Sequence, residues 1–223
     1  MSIRLAFVVL FFALVCGLAF QGAALSTQKG GENQDLDKRV EAFLDRHDWG
    51  WGDMNVPAGD GKILHDLIVK NNYKKALEIG TSTGHSGIWI AWALSKTGGK
   101  LITIELDESR HKEALANFDA AGLSDYIDAR LANAHELVPT LSGPFDFVFS
   151  DADKGWYKNY LIAVLPKLEI GGCFTAHNVR GRRGGRRGGT SEFLDYMYGL
   201  PNMETTVDSS GGGISISYKR SNE

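Results

Sequence analysis

Cysteine is scarce. The 223-residue chain has two, and the first, Cys16, lies in an apolar N-terminal run, so Cys173 stands alone in the remainder. One thiol cannot close an internal disulfide, which excludes a disulfide-built scaffold and leaves the redox compartment open. Strong charge of either sign is missing as well: a formal net charge of -3 argues against a protein that coats nucleic acid. No repeat of fixed period is visible, which excludes a solenoid. What is present, 43% hydrophobic and 23% charged residues, suits one well-buried core at this length and is short for two.

The first 25 residues differ in kind from the rest. One cation, Arg4, precedes an apolar stretch from Leu5 to Phe20, followed by the small residues Gly22, Ala23 and Ala24. That is the layout of a secretory signal peptide. The stretch also approaches the roughly 20 apolar residues that span a bilayer. Two expectations follow for residues 1–25: a cleaved signal peptide, with the protein exported to a periplasm or medium, or an uncleaved anchor that would be the chain's only membrane contact. Residues 26–34, polar and holding a Gly pair, read as a linker, and 35–223 as one domain.

From Asp35 the pattern is helical, with Leu36, Val40, Phe43 and Leu44 on one face, and a second helix carries Ile63, Leu64, Leu67 and Ile68. Beyond Tyr73, short apolar runs at 75–80, 100–105, 126–131, 145–150 and 172–177 alternate with amphipathic stretches near 85–96, 108–121, 134–141 and 156–168. Strands joined by crossover helices of this length predict a parallel sheet covered on both faces. The last two apolar runs, "METTV" and "GISISYK", are separated by a Ser/Gly turn and predict an antiparallel hairpin on the sheet edge.

The first strand breaks into Gly80-Thr81-Ser82-Thr83-Gly84. This string fits a nucleophile elbow, with Ser82, Asp151 and His177 in the chain order that hydrolases use. It also fits a strand-to-helix turn that lets a nucleotide approach bare backbone. Only two helices precede Ser82, whereas a hydrolase builds several strands before its elbow, so the holding role is favoured. Glu105, at the end of the second strand, suits the hydroxyls of a ribose. Glu78 inside the first strand needs a fixed partner, backbone amides or a cationic ligand, because an unpaired buried carboxylate is costly.

Together "MNVPAGDGKIL", "LEIGTSTGHSGIWIA", "ITIELDE", "FDFVFSDADKGWYKNY" and "GGCFTAHNV" make the region from Met54 to Lys219 resemble the cation-dependent class I O-methyltransferases, which include the catechol and caffeoyl-CoA enzymes. The resemblance implies a Rossmann-like, mostly parallel sheet of seven strands with helices on both faces and one antiparallel edge hairpin. It implies S-adenosylmethionine as cofactor, flanked by Met54 and Val56, over Glu78 and Gly80, with Ser82 and Ser86 at its carboxylate, Glu105 on the ribose, Asn133 and Ala134 at the adenine, and Asp151 nearby. It further implies a divalent cation held by Asp151 and Asn178, with His177 as the third ligand expected in place of the family's Asp, and Lys154 as the base that deprotonates a small, hydroxylated, catechol-like or acidic acceptor.

Two departures stand out. The family pattern has Asp-Asn where this chain has His177-Asn178, which removes a hard ligand and favours a transition ion over magnesium or calcium. His177 otherwise becomes a pocket residue or a substitute base, and the chain then becomes a cofactor-binding protein that has lost the metal chemistry. The second departure is "VRGRRGGRRGG" at 179–189, with five arginines from Arg180 onward. It reads as an RNA-binding tract, a clamp for an anionic acceptor, or a solvated loop. Homodimerisation stays open.

Overall fold

The computed structural model describes residues 34–46, 55–180 and 189–223. The N-terminal leader or anchor, nearly all of the linker, Met54 and most of the Arg/Gly run therefore lie outside the described residues. Helix α1 covers 34–46 and α2 covers Ala58–Asn71. Strand and helix then alternate as β1 (Lys75–Ile79), α3 (His85–Thr97), β2 (Lys100–Glu105), α4 (Glu108–Ala121), β3 (Ile127–Leu131), α5 (Ala134–Thr140), β4 (Phe145–Ser150), α6 (Tyr157–Val164) and β5 (Leu168–His177). Helix α7 (Gly189–Tyr198) leads into β6 (Met203–Asp208) and β7 (Ile214–Lys219).

The seven strands lie in the order β3-β2-β1-β4-β5-β7-β6. All pairings from β3 to β5 are parallel, and β7 runs antiparallel to both β5 and β6. This is the Rossmann-like, mostly parallel sheet with one antiparallel edge hairpin. Strand periodicity divides the core. Leu77, Ile79, Val148, Phe174 and Ala176 pack with Tyr157, Leu161, Phe193 and Met197 of α6 and α7 on one face. The alternate residues Ala76, Phe147, Phe149 and Cys173 pack with Leu64, Ile68, Ile90 and Leu94 of α2 and α3 on the other, as side chains alternating across a pleat must. Helix α1 buries Val40, Phe43 and Leu44 against Ile88, Trp92 and Phe118. Its Arg39 donates to the carbonyls of Asp119 and Ala120 at 2.6 and 2.9 Å, satisfying orphan acceptors at the end of α4.

Two sequence expectations need correction. The stretch 156–168 is not one helix: 3-10 turns at Lys154–Trp156 and Leu165–Lys167 bracket α6. Pro166 at the start of the second turn cannot donate into a continuing α-helix. Helix α7 was not anticipated, because the Arg/Gly run before it masks its start. No helix among the described residues is long and apolar enough to cross a membrane.

Candidate active site

The strand order reverses between β1 and β4, and a cavity of about 720 Å³ opens at the carboxyl ends of these strands, where open parallel sheets collect ligands. Its lining includes Gly80, Ser82, Ser86, Glu105, Asn133, Ala134, Asp151, Lys154, His177 and Asn178, so one cavity brings together most of the residues singled out in the sequence. Two of the described ones, Val56 and Glu78, do not line the cavity. Val56 is packed into the core with Leu64 and Ile68, and it is Asn55 that reaches the cavity. Glu78 is fully buried behind the lining.

The turn after β1 is built for close approach. Gly80 has φ 99°, and a Cβ there would meet the Asp151 carbonyl at 2.9 Å, so only glycine lets β1 and β4 end side by side. Ser82 is itself left-handed, φ 50°, and its N–H donates to Glu105 Oε2 at 2.7 Å. Helix α3 starts at Gly84 with no side-chain cap, which leaves its positive dipole end beside the cavity for an anionic group. Glu105 Oε1 accepts from the N–H groups of Leu106 and Asp107, both at 3.0 Å. Its carboxylate is thus fixed by backbone on both oxygens, with lone pairs left for hydroxyl donors.

Below the floor, Thr103 Oγ1 donates to Glu78 Oε2 at 2.6 Å. Within the chain the fixed partners of Glu78 are the Thr103 and Ser86 hydroxyls, not the backbone amides. Burial pushes its carboxyl up to about 7, against the lowering effect of the Ser86 and Thr103 hydroxyls. Glu78 Oε1 is buried with no hydrogen-bond partner, an orphaned acceptor beneath the place proposed for a sulfonium amino acid. These features fit S-adenosylmethionine: an uncapped helix start for its carboxylate, Glu105 for its ribose, and negative potential under its positive centre.

The far wall is a polar chain. His177, at the end of β5, faces Asp151 Oδ2 with Nδ1 at 3.0 Å and Asp60 Oδ2 with Nε2 at 2.8 Å. Asp151 Oδ1 accepts from Lys154 Nζ at 2.5 Å and from the Tyr157 hydroxyl at 3.3 Å. That hydroxyl also contacts the His177 carbonyl at 3.1 Å. Burial alone would push the His177 imidazole down, but hydrogen bonds and charge from Asp151 and Asp60 outweigh it and hold the ring above the ordinary histidine value.

The expected cation ligands do not fit a divalent ion here. A ligating imidazole needs a free lone pair, yet both ring nitrogens of His177 point at carboxylate oxygens. Both oxygens of Asp151 are already engaged, by His177, Lys154 and Tyr157, so its spare lone pairs and the exposed Asn178 amide, at φ 56°, would be all that is left of the expected set. Among the described residues no group of three or more His, Cys, Asp or Glu is arranged to hold a metal. The same geometry speaks against the hydrolase reading, since both ring nitrogens of His177 face carboxylates and neither faces Ser82. Asp60 escaped the sequence reading: it looks like an ordinary first-turn acid of α2, and its partner lies 117 residues away.

A nucleotide-type α/β fold with its cavity at the strand switch defines a class, and comparison supplies the family. A family model described as O-methyltransferase matches residues 28–182. A catechol O-methyltransferase from Niastella koreensis is 38% identical over 130 residues, 56% of this chain and 58% of that protein. Caffeoyl-CoA O-methyltransferase 1 from Eucalyptus globulus is 33% identical over 147 residues, 64% of this chain and 58% of that protein. The matches thus span less than two thirds of these relatives. Among solved structures, the O-methyltransferase TomG from Streptomyces achromogenes in complex with SAM superposes with a TM-score of 0.70 at 26% identity, covering 82% of this chain and 90% of that one. The chain belongs to the O-methyltransferase family.

Proposed function

We propose that the protein is an S-adenosylmethionine-dependent O-methyltransferase acting on a small hydroxylated acceptor, catechol-like or acidic. The observation that carries this reading is the single cavity joining Glu105 and the Gly80–Gly84 turn on one side to the Asp151–Lys154 pair on the other. In this reading Ser82 and Ser86 hold the cofactor's carboxylate, Asn133 and Ala134 border its adenine, and the acceptor lies between the sulfonium and Lys154. When bound, the cofactor supplies an electrophilic methyl group. The chain's own task is to align the acceptor oxygen with it and to receive a proton. With the cofactor bound, its methyl group would pass to an acceptor lone pair while sulfur keeps the bonding electrons, and the hydroxyl proton would go to Lys154 as the unprotonated amine, held in place by Asp151.

The apolar segment from Leu5 to Phe20 supports export or anchoring of this domain. The locked state of His177 favours one second reading, a protein that binds the cofactor without transferring its methyl group. Labelled S-adenosylmethionine presented with a panel of catechols and hydroxycinnamoyl esters separates the two. Labelled methyl ether that disappears in Lys154→Ala supports transfer, and binding without product on any acceptor supports the second reading. No cofactor binding at all overturns both.

A further inference from the structure

We propose that this site operates without a divalent cation, the imidazole of His177, clamped between Asp60 and Asp151, standing where the family pattern has a carboxylate ligand. The inference rests on the methyltransferase reading above and concerns its charge arrangement.

The argument is one of hydrogen-bond valence. Carboxylate oxygens only accept, so a ring whose Nδ1 and Nε2 stand 3.0 and 2.8 Å from two of them donates from both and has no lone pair left. The clamp is not an exposed contact that a passing ion could displace. The side chains of His177 and Asp60 are 5% and 1% exposed. The turn between β6 and β7 also closes the pair from behind. Gly212 N–H donates to Asp60 Oδ2 at 2.8 Å, and a Cβ on Gly212 would come within 2.5 Å of His177 Nε2 and 2.9 Å of Asp60 Oδ2. A Cβ on Gly211 would collide with Asp60 Oδ1. Three distant segments, the first turn of α2, the end of β5 and the glycine turn, therefore meet to hold one ring.

Asp60 is a positioning residue: it acts through His177, which in turn orients Asp151 toward Lys154. The transfer step balances without a Lewis acid. The methyl group would move from the cofactor's sulfur to the acceptor oxygen and the hydroxyl proton to the unprotonated amine of Lys154, whose partner Asp151 is fixed from the other side by His177 and Tyr157.

The test uses the untagged full chain saturated with S-adenosylhomocysteine, whose binding is first confirmed by calorimetry. Manganese(II) is then added while the free-ion paramagnetic resonance signal is followed, and zinc retention after dialysis is measured by mass spectrometry. We expect the free manganese signal to grow in step with addition and no stoichiometric zinc to be retained. With an active acceptor, a chelator is expected to leave the rate within about twofold. The proposal is overturned if about one equivalent of either ion is held by the wild-type chain and released by Asp151→Asn. It is equally overturned if chelation costs tenfold or more in rate and magnesium restores it. Absence of S-adenosylhomocysteine binding would instead sink the functional reading, while the ion titrations would still decide this one.

Discussion

Glu105 holds three backbone N–H groups at once, those of Ser82, Leu106 and Asp107, so its carboxylate both shapes the turn and faces the cavity. Replacing it with Gln keeps the size but loses the charge and an acceptor. Hydrogen bonds to charged groups contribute roughly 1.5–3 kcal/mol each, so loss of about one gives an expected 10- to 100-fold rise in the Kd for S-adenosylhomocysteine by calorimetry. Glu78 makes a different prediction. Its folded-state value of about 7 lies above the ordinary 4.5. Between those pH values the folded chain holds a proton that the unfolded chain has lost, so this residue makes stability fall as pH rises, reaching a lower plateau above 7. Glu78→Gln removes that penalty. In urea denaturation of the cofactor-free protein, the variant is expected to match the wild type near pH 4.5 and to gain on it by about 3 kcal/mol toward pH 8. A constant difference across that range would contradict the assignment.

At the scale of elements, the start of α3 is the sharpest constraint. Gly84 caps the helix at φ 99°, and a Cβ there would lie 2.7 Å from the Phe118 ring of α4. Gly84→Ala must therefore strain the backbone and push α4 outward, at a cost of about 1–3 kcal/mol for the conformation alone. The expected result is a lower urea midpoint together with weaker cofactor binding, because the same turn carries Ser82. The elements themselves were largely legible in the sequence, since β1, β2 and β4 are short apolar runs ending in small or acidic residues and α4 has Asp107 as an N-cap and Gly122 after its end. The misses have physical causes. Helix α7 buries Phe193 and Met197, but the preceding Arg/Gly run carries no helical pattern to announce it. The break around α6 is local turn geometry that apolar periodicity does not record.

At the scale of the whole molecule, what the sequence could not convey is which distant side chains meet. Glu105 and the glycine turn were legible because both follow strands whose parallel pairing brings their ends together. Asp60 was not, because its role depends on α2, β5 and the β6–β7 turn converging on His177. Nor could the departure at His177 be interpreted until both its neighbours were known. The cavity draws its lining from the turns after β1 and β4, the ends of β2 and β5, and the starts of α3 and α5, so a ligand there ties both halves of the sheet together. Binding only to the folded state, at 100 times its Kd, adds about 2.7 kcal/mol. For a domain of this size that corresponds to roughly 5–10 °C in Tm. Differential scanning fluorimetry with S-adenosylhomocysteine is expected to give a rise of that order in the wild type. At the same ligand concentration the rise should be reduced in Glu105→Gln, whose weaker affinity leaves less free energy to couple. An equal rise in both would mean that the nucleoside is held without the acid at the end of β2, and that the cavity is used in some other way.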